Sequence, residues 1–529
     1  MFEKLIVSCS MMTACFAYSA KEMSLEEKVG QILVVQFHGE EANEDAKALV
    51  QEMHVGGFIY YTWSNGLTSP AQVKALSAGL QKLTKGPRLF ITTDQEGGIV
   101  TRLTQGFTVL PGNKALGMTR KPELAKESAI AIGEELQAVG INMNLSPVVD
   151  VNSNPRNPVI GIRSFGDSAA MVIAFGKKAL EGYREAGTIA CLKHFPGHGD
   201  VEVDSHLALP IVHKSKEELM RVELKPFAKL ASQADMIMTA HLLMPALDPD
   251  NCSTLSKKTV DFLRKDLGFQ GVIITDSLAM EGVLKKCGSV DEAAVQALNA
   301  GCDILMLGGR QLIGDSKFEL TVSDIRRIHQ RLVDAVKSGQ ISEERLDQAV
   351  EKVLELKNKY LVNPSRTGNA VKMAEHEALS KKIAALSVQI KKNQQMSFVG
   401  KKVVVIAPQL LKESVQQTSL AKMGQTLFFQ GLNPTEAAVA AVIESANTAD
   451  VIVFCSYNSW KNEAQAKLIQ IFLESGKPVV LFAVRDPQDA ALFPKAAAIL
   501  TTFSPTVPSI QAACDRLSLS LGAEKPGHL

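Results

Sequence analysis

The stretch TIACLKHFPGHGD, residues 188–200, begins as a short apolar run and ends in a group of titratable side chains. A nearly continuous apolar run is typical of a parallel strand that is buried on both faces. Seven similar runs occur in the first 309 residues, and amphipathic helical segments such as 122–140 lie between most of them. They are QILVVQFHG (31–39), GGFIYY (56–61), RLFITTDQEGG (88–98), NMNLSPVVD (142–150), DMIMTAHLLMP (235–245), GVIITDSLAM (271–280) and CDILMLGG (302–309). Eight such β/α units predict a TIM-type (β/α)8 barrel.

Polar side chains recur where these apolar runs end. Asp94, Asp150, His194, His241 and Asp276 each stand at such a position. The carboxyl ends of barrel strands form the face on which this fold carries its chemistry, so we expect a site there. For Asp150 and His241 an ordinary hydrogen bond at the barrel rim explains the position equally well.

The length of 529 residues predicts two domains. A helical segment at 324–360 is expected to complete a catalytic barrel spanning 23–362, and the turn-rich segment 363–372 is the predicted linker. A second α/β pattern follows and predicts a smaller three-layer α/β sandwich domain over 373–529. Its apolar runs are KKVVVIAP (401–408), DVIVFCSY (450–457), KPVVLFAVRDP (477–487) and AAAILTTFSP (496–505). It has no G-x-G-x-x-G or Walker lysine loop, so a nucleotide site is not indicated.

Composition and charge narrow the class of protein. The apolar share is 46% and the net charge is +1, without a long basic run, which indicates a globular protein that does not bind nucleic acid.

The first 22 residues have the shape of a secretory signal, with Lys4, an apolar stretch and small residues at AYSA. Met12-Thr13-Ala14-Cys15 loosely resembles a lipoprotein cleavage box. We therefore expect export to the periplasm or cell envelope, with a possible lipid anchor at Cys15 and no transmembrane span. An uncleaved leader packed on the barrel, in a cytoplasmic protein, stays open.

Eight cysteines are scattered along the chain and form no C-x-x-C pair. Several stand in apolar runs, such as Cys302 in GCDILMLGG. We predict small buried apolar residues, and not a disulfide framework or a zinc site. The eight are Cys9, Cys15, Cys191, Cys252, Cys287, Cys302, Cys455 and Cys514.

The loop KHFPGHGDVEVDSH, residues 193–206, allows three interpretations. Metal binding would use N and O ligands, but the spacing is irregular for a metal site. The candidate ligands are His194, His198, Asp200, Asp204 and His206. The histidines could also simply hydrogen-bond within a tight loop. In the third interpretation Asp204 and His206, two residues apart, meet as an acid–base pair in which the carboxylate orients the imidazole.

This loop resembles the signature loop of family-3 glycoside hydrolases, in their β-N-acetylhexosaminidase branch. Three further segments resemble family motifs in the same order, and together they cover about residues 24–350. These are TDQEGGIVTRL (93–103), NPVIGIRSFGD (157–167) and VIITDSLAM (272–280). The C-terminal domain resembles the α/β sandwich of the longer members, without comparable motifs. One departure is DNCSTLSKKTV (250–260), which could alter the outer wall of the pocket.

The resemblance implies a role for each matching residue. Asp276 would be the nucleophile, His206 the acid–base and Asp204 its orienting carboxylate, which together give retention of the β configuration. The implied binding residues for the terminal sugar are Asp94, Arg102, Arg163, Lys193 and His194. Glu96 is another carboxylate, but Asp276 and His206 already fill both catalytic roles. This chemistry requires no metal or organic cofactor.

The resemblance thus implies an exo-acting retaining β-N-acetylglucosaminidase. By resemblance, its substrates would be small carbohydrates such as GlcNAc-containing muropeptides from bacterial peptidoglycan, in cell-wall turnover or recycling. Three alternatives stay open: a phosphorylase that uses phosphate as acceptor, an inactive sugar-binding protein, and a metal-dependent hydrolase that uses the histidine cluster.

Overall fold

The computed structural model describes residues 18–205, 207–310, 318–362, 371–394 and 398–520. Residues 1–17 of the signal-like segment, including Cys9 and Cys15, lie outside the described residues. Export and the lipid anchor therefore stay predictions. No helix in the described ranges is both long and apolar enough to cross a bilayer.

Eight short parallel strands form one sheet that closes on itself. Their order is β8-β1-β2-β3-β4-β5-β6-β7, and a bridge between Ile274 and Ile304 joins β7 to β8. This confirms the predicted barrel, and each of the eight apolar runs contains one strand. The strands are β1 (Leu33–Val35), β2 (Gly57–Ile59), β3 (Phe90–Thr93), β4 (Met143–Asn144), β5 (Ile189–Phe195), β6 (Met236–Thr239), β7 (Val272–Thr275) and β8 (Leu305–Leu307).

The barrel strands are connected by helices whose apolar faces pack on the sheet. The segment predicted at 324–360 is present as two helices, because Gly339 adopts a φ of +77° that ends the first and Ser342 caps the second. The longer helices are Leu25–Gln31, Glu44–Gln51, Pro70–Leu83, Asn113–Thr119, Glu123–Ala138, Ala169–Ala186, Glu281–Cys287, Val290–Ala300, Val322–Lys337 and Glu343–Leu361. Shorter ones are Thr62–Asn65, Lys216–Arg221, Lys225–Leu230 and Lys257–Asp261.

The C-terminal part is a six-stranded sheet between two layers of helices, which confirms the predicted sandwich. The strands are β9 (Gln389–Asn393), β10 (Val403–Pro408), β11 (Gln425–Phe429), β12 (Val451–Ser456), β13 (Val479–Ala483) and β14 (Ala498–Thr501). Their order is β9-β14-β13-β12-β10-β11, with β9 antiparallel to β14. A separate apolar cluster lies on each face of the sheet. The helices are Met373–Ser387, Lys412–Gln416, Leu420–Met423, Glu436–Ser445, Glu463–Glu474, Gln488–Leu492 and Val507–Ser520.

The helix Met373–Ser387 joins the two parts of the chain. Its His376 lies with Nδ1 2.8 Å from Glu135 Oε1, and its Ser380 donates a hydrogen bond to the carbonyl of Val109. Most of the predicted linker lies outside the described residues, so the domain limits stay a prediction.

The described cysteines have no disulfide partner. Five of the six are buried, as predicted, and Cys287 is half-buried at the end of its helix.

The amino end of the barrel contains a buried lysine. Lys357 Nζ donates a hydrogen bond of 2.8 Å to Gln31 Oε1 and lies 4.9 Å from the centre of the Phe90 ring. Burial lowers the pKa of Lys357 to about 7. Because the unfolded chain keeps an ordinary lysine pKa of about 10.4, the folded protein binds fewer protons between these two values.

We therefore expect the free energy of unfolding to rise with pH from about 7 to about 10, by about 1.4 kcal/mol for each unit of pKa displacement. Lys357→Met should stabilise the protein at pH 7 and flatten this rise, because methionine has no charge to desolvate. Urea unfolding at pH 7 and pH 9.5 measures both effects. Lys352→Met is the matched control, since Lys352 lies on the same helix and its Nζ bonds an exposed carbonyl. Equal slopes for wild type and Lys357→Met would contradict the prediction.

Candidate active site

A cavity of about 440 Å³ opens at the carboxyl ends of the barrel strands. Six of the predicted site residues line it: Asp94, Arg102, Arg163, Lys193, His194 and Asp276. Ser205 also lines the cavity and is the chain neighbour of Asp204. His206, the predicted acid–base, lies outside the described residues.

One side of the cavity is a network of buried charges. Lys193 Nζ lies 2.7 Å from both Asp94 Oδ1 and Glu96 Oε1. Arg163 forms two hydrogen bonds to the same Glu96 carboxylate, from Nε to Oε2 at 3.0 Å and from Nη2 to Oε1 at 2.8 Å. Arg102 adds a looser contact, with Nη2 3.7 Å from Asp94 Oδ2. Two carboxylates thus fix three cations at the wall where a sugar would lie.

The charge state of this network follows from its burial and its pairing. Burial alone would raise the pKa of Glu96, but the charges of Arg163 and Lys193 outweigh it and hold that pKa well below its usual range. Burial likewise favours neutral Lys193, yet the nearby Asp94 and Glu96 carboxylates raise its pKa. Glu96 and Lys193 therefore both stay ionised at neutral pH.

Glu96 is the residue whose role the sequence did not reveal. Its side chain is 2% exposed, and it bonds both Arg163 and Lys193. It lies in the hairpin strand Gln95–Gly97 that directly follows β3, with Val100–Thr101 as the partner strand. Glu96 is thus an anchor for two predicted sugar-binding cations.

His194 is oriented by a carboxylate behind it. Its Nδ1 donates to Asp150 Oδ2 at 2.7 Å, which leaves Nε2 as an acceptor on the cavity side, 3.5 Å from Arg163 Nη2. Asp150 is fully buried and also accepts the backbone N–H of His194 and of His198. Burial would raise the pKa of Asp150, but His194 and these further contacts lower it. Of the two interpretations of Asp150, the structure supports the hydrogen-bonding one.

Asp276 stands directly after β7, with its carboxylate fixed by the backbone. The N–H of Ser277 donates to Asp276 Oδ1 at 2.7 Å, and the N–H of Asp276 donates to the carbonyl of Thr239 at 3.2 Å. His241 supports the same turn from below, since its Nε2 donates to the carbonyl of Ser277 at 2.8 Å.

The segment 250–260, which departs from the family pattern, contributes to this support. Its buried Thr254 lies with Oγ1 2.8 Å from His241 Nδ1. The segment thus braces the strand end that carries Asp276.

The rim of the cavity next to Arg102 is aromatic, which the sequence did not predict. Tyr61 and Trp63 stack with ring centres 4.2 Å apart. The guanidinium of Arg102 lies 5.7 Å from each ring centre, and that of Arg310 lies 4.7 Å from Trp63. The signal in the sequence is that Tyr61 ends the second apolar run and Trp63 follows it by two residues. Aromatic faces beside convergent polar groups suit a ligand with both apolar and hydroxylated surfaces.

A closed (β/α)8 barrel whose carboxyl end carries a fixed carboxylate, Asp276, and a cradle of charges formed by Asp94, Glu96, Arg102, Arg163 and Lys193 is compatible with the class of glycoside hydrolases. The sequence model described as "Glycosyl hydrolase family 3 N terminal domain" matches residues 24–356. The chain belongs to glycosyl hydrolase family 3, which confirms the resemblance.

Solved and curated relatives agree with this membership. A family-3 β-N-acetylglucosaminidase from Paenibacillus sp. str. FPU-7 superposes with a TM-score of 0.85 at 35% identity, over 95% of this chain and 98% of that one. Beta-hexosaminidase A of Pseudoalteromonas piscicida is 35% identical over 339 residues, and the alignment covers 59% of this chain and 54% of that protein's length. Beta-hexosaminidase of Pseudomonas aeruginosa (strain LESB58) is 36% identical over 273 residues, 51% of this chain and 80% of its own. The chain thus spans about half the length of the Pseudoalteromonas piscicida protein and most of the Pseudomonas aeruginosa one.

Proposed function

We propose that this protein is an exo-acting, retaining β-N-acetylglucosaminidase that removes terminal GlcNAc from β-linked glycans. The observation that carries the proposal is the cavity at the carboxyl end of the barrel, which Asp276 lines together with Asp94, Lys193, Arg163 and His194. Its volume of about 440 Å³ lies in the lower part of the range of small-molecule pockets, which suits a terminal sugar unit. The names of the relatives support the choice of hexosaminide over other glycosides.

In the first chemical step, an Asp276 carboxylate oxygen attacks the anomeric carbon while the bond to the leaving oxygen breaks. His206 gives its proton to that oxygen, and a covalent glycosyl-enzyme forms. In the second step His206 takes a proton from water, which attacks the same carbon and releases Asp276. Two inversions give net retention.

An imidazole suits this acid–base role on electrostatic grounds. A histidine acid is neutral or cationic, so it places no second anion beside Asp276 and is free of the like-charge interaction that raises the pKa of paired carboxylic acids. Asp204 would fix its tautomer and balance the imidazolium. The cradle then converts binding into rate, because hydrogen bonds from Lys193 and Arg163 to sugar hydroxyls tighten as the ring distorts.

The natural substrates would be peptidoglycan fragments that carry GlcNAc-β-1,4-MurNAc. The test compares purified protein on this disaccharide, on its peptide-bearing form and on chitobiose, in phosphate and in phosphate-free buffer. We expect β-GlcNAc as the first product in both buffers and the highest kcat/KM on the muropeptide. GlcNAc-1-phosphate as the main product would identify a phosphorylase, and a lack of cleavage would refute the proposal.

His206→Ala separates the two roles of the imidazole. We expect a loss of about 10²–10⁴-fold on the disaccharide, whose leaving group needs protonation, and a smaller loss on p-nitrophenyl β-GlcNAc. Azide should then accelerate release of p-nitrophenol and give the β-glycosyl azide, because an anion needs no general base. Equal losses on both substrates without azide acceleration would contradict the role of His206.

A further inference from the structure

Ser205, the residue between the two members of the proposed acid–base dyad, is hydrogen-bonded to the barrel. Its Oγ lies 2.8 Å from His198 Nε2, and both residues are 2% exposed. His198 follows β5 by three positions, so this bond links the dyad loop to the strand end that carries Lys193 and His194.

His198 is itself held in a fixed position. Its N–H donates to Asp150 Oδ1 at 2.6 Å, and its carbonyl accepts from Asn157 Nδ2 at 2.7 Å. Asp150 also orients His194, so one buried carboxylate supports both the sugar-facing histidine and the residue that bonds Ser205. The rings of His194 and His198 meet edge to face at 5.9 Å.

His198 is neutral at physiological pH. Burial, followed by the nearby His194, lowers its pKa to about 4. A neutral ring next to Ser205 adds no positive charge to the loop that carries the proposed acid–base. Nδ1 of His198 is buried and has no hydrogen-bond partner among the described residues. Among these residues, the ring of His198 is therefore hydrogen-bonded through Nε2 to Ser205 alone.

Ser205 is also confined from the opposite side. A methyl group added at Gly282 would lie 2.8 Å from the carbonyl oxygen of Ser205 and 3.1 Å from that of Ala208. Gly282 lies in the first turn of the helix Glu281–Cys287, six residues after Asp276. Ser205 is thus packed between the end of β5 and the segment that follows β7.

We propose that Ser205, held between His198 and Gly282, is the positioning residue of the loop that carries the proposed acid–base dyad. This inference rests on the proposed function, since it concerns how that function's acid–base is held. It predicts that loosening or displacing Ser205 impairs proton transfer while the sugar-binding cradle stays intact.

Ser205→Ala removes the hydroxyl without adding volume. We expect a loss of about 10-fold in kcat on the disaccharide, a part of the 10²–10⁴-fold that a well-placed general acid supplies, with KM changed less than twofold. Azide should accelerate p-nitrophenyl β-GlcNAc turnover by this variant, as it should for His206→Ala. In a double-mutant cycle, Ser205→Ala and His198→Ala should cost together about as much as either alone.

Gly282→Ala displaces Ser205 while both partners of the hydrogen bond remain, and alanine is otherwise favourable in a helix. We expect the same azide acceleration. Ser77→Ala is the control, because Ser77 is a buried hydroxyl bonded to Tyr60 on the outer helix Pro70–Leu83, and it should behave as wild type on both substrates.

The possible outcomes distinguish a failure of the Ser205 positioning role from a failure of the proposed function. If azide accelerates His206→Ala but neither Ser205→Ala nor Gly282→Ala, the positioning role of Ser205 is overturned. If azide fails to accelerate His206→Ala, the acid–base assignment itself is wrong. Strictly additive losses for Ser205 and His198 would also overturn the inference.

Discussion

Asp276→Ala is expected to reduce kcat/KM on p-nitrophenyl β-GlcNAc by about 10⁴-fold or more, because the variant lacks the proposed nucleophile. The geometry supports this choice of carboxylate. Asp276 lines the cavity and its Oδ1 is fixed by the N–H of Ser277, whereas Glu96 and Asp94 are committed to cations. Even an activated leaving group should not rescue the variant, since the loss affects formation of the intermediate.

Azide gives this experiment a stereochemical readout. In Asp276→Ala it should occupy the position of the missing carboxylate and attack from the face opposite the leaving group, so the product is the α-glycosyl azide. His206→Ala should give the β product instead. Asp250→Ala, at an exposed aspartate, is the control and should keep full activity. A variant at Asp276 that retained a tenth of the wild-type rate would remove this residue from the mechanism.

The barrel could be predicted because its signal is local. A parallel strand buried on both faces is mostly apolar, and each of the eight strands lies in a largely apolar run. The strands β9 and β11 of the C-terminal domain were not predicted, because they lie at the sheet edges. β9 reads QIKKN and is partly exposed along its length, so it carries neither a continuous apolar run nor a clear alternation.

The site could be predicted only in part, for a related reason. Position after a strand places Asp94, His194 and Asp276 at one face of the barrel without any knowledge of contacts. The contacts between these side chains could not be predicted in the same way. Glu96 contacts Arg163 and Lys193, which lie 67 and 97 residues further along the chain, and no local pattern shows which carboxylate points into the network. The same holds for the stacked Tyr61 and Trp63, which an apolar run alone does not distinguish from core residues.

Glu96 is the second position at which we expect a large effect. Truncation in Glu96→Ala would leave Lys193 and Arg163 buried with Asp94 as their main remaining anion in the network. Breaking a buried pair by removing one partner typically costs about 3–5 kcal/mol, because the remaining charge is not compensated. We therefore expect a comparable loss in the free energy of unfolding at pH 7, measured by urea unfolding.

Activity should fall as well, by about 10²–10³-fold in kcat/KM, although Glu96 makes no direct contact with the reacting atoms in the proposed mechanism. Without it, the guanidinium of Arg163 loses both bonds that fix its plane, and a binding cation misplaced by about 1 Å costs rate of this order. Glu96→Gln keeps the shape but brings an amide NH₂ towards a cation, so its activity should lie between those of Glu96→Ala and wild type.

The pH dependence of stability then isolates the charge of Glu96 from its volume. The pKa of Glu96 is lowered in the folded protein, so its contribution is present above the unfolded value of about 4.3 and is lost as pH falls below it. The free energy of unfolding of Glu96→Gln should therefore decline less steeply between pH 5 and pH 3 than that of wild type. Glu123→Gln, at a surface pair with Lys178, should change stability by less than about 1 kcal/mol at any pH. Parallel declines for wild type and Glu96→Gln would mean that Glu96 is not the charged centre of the cradle, and that Asp94 alone holds Lys193 in place.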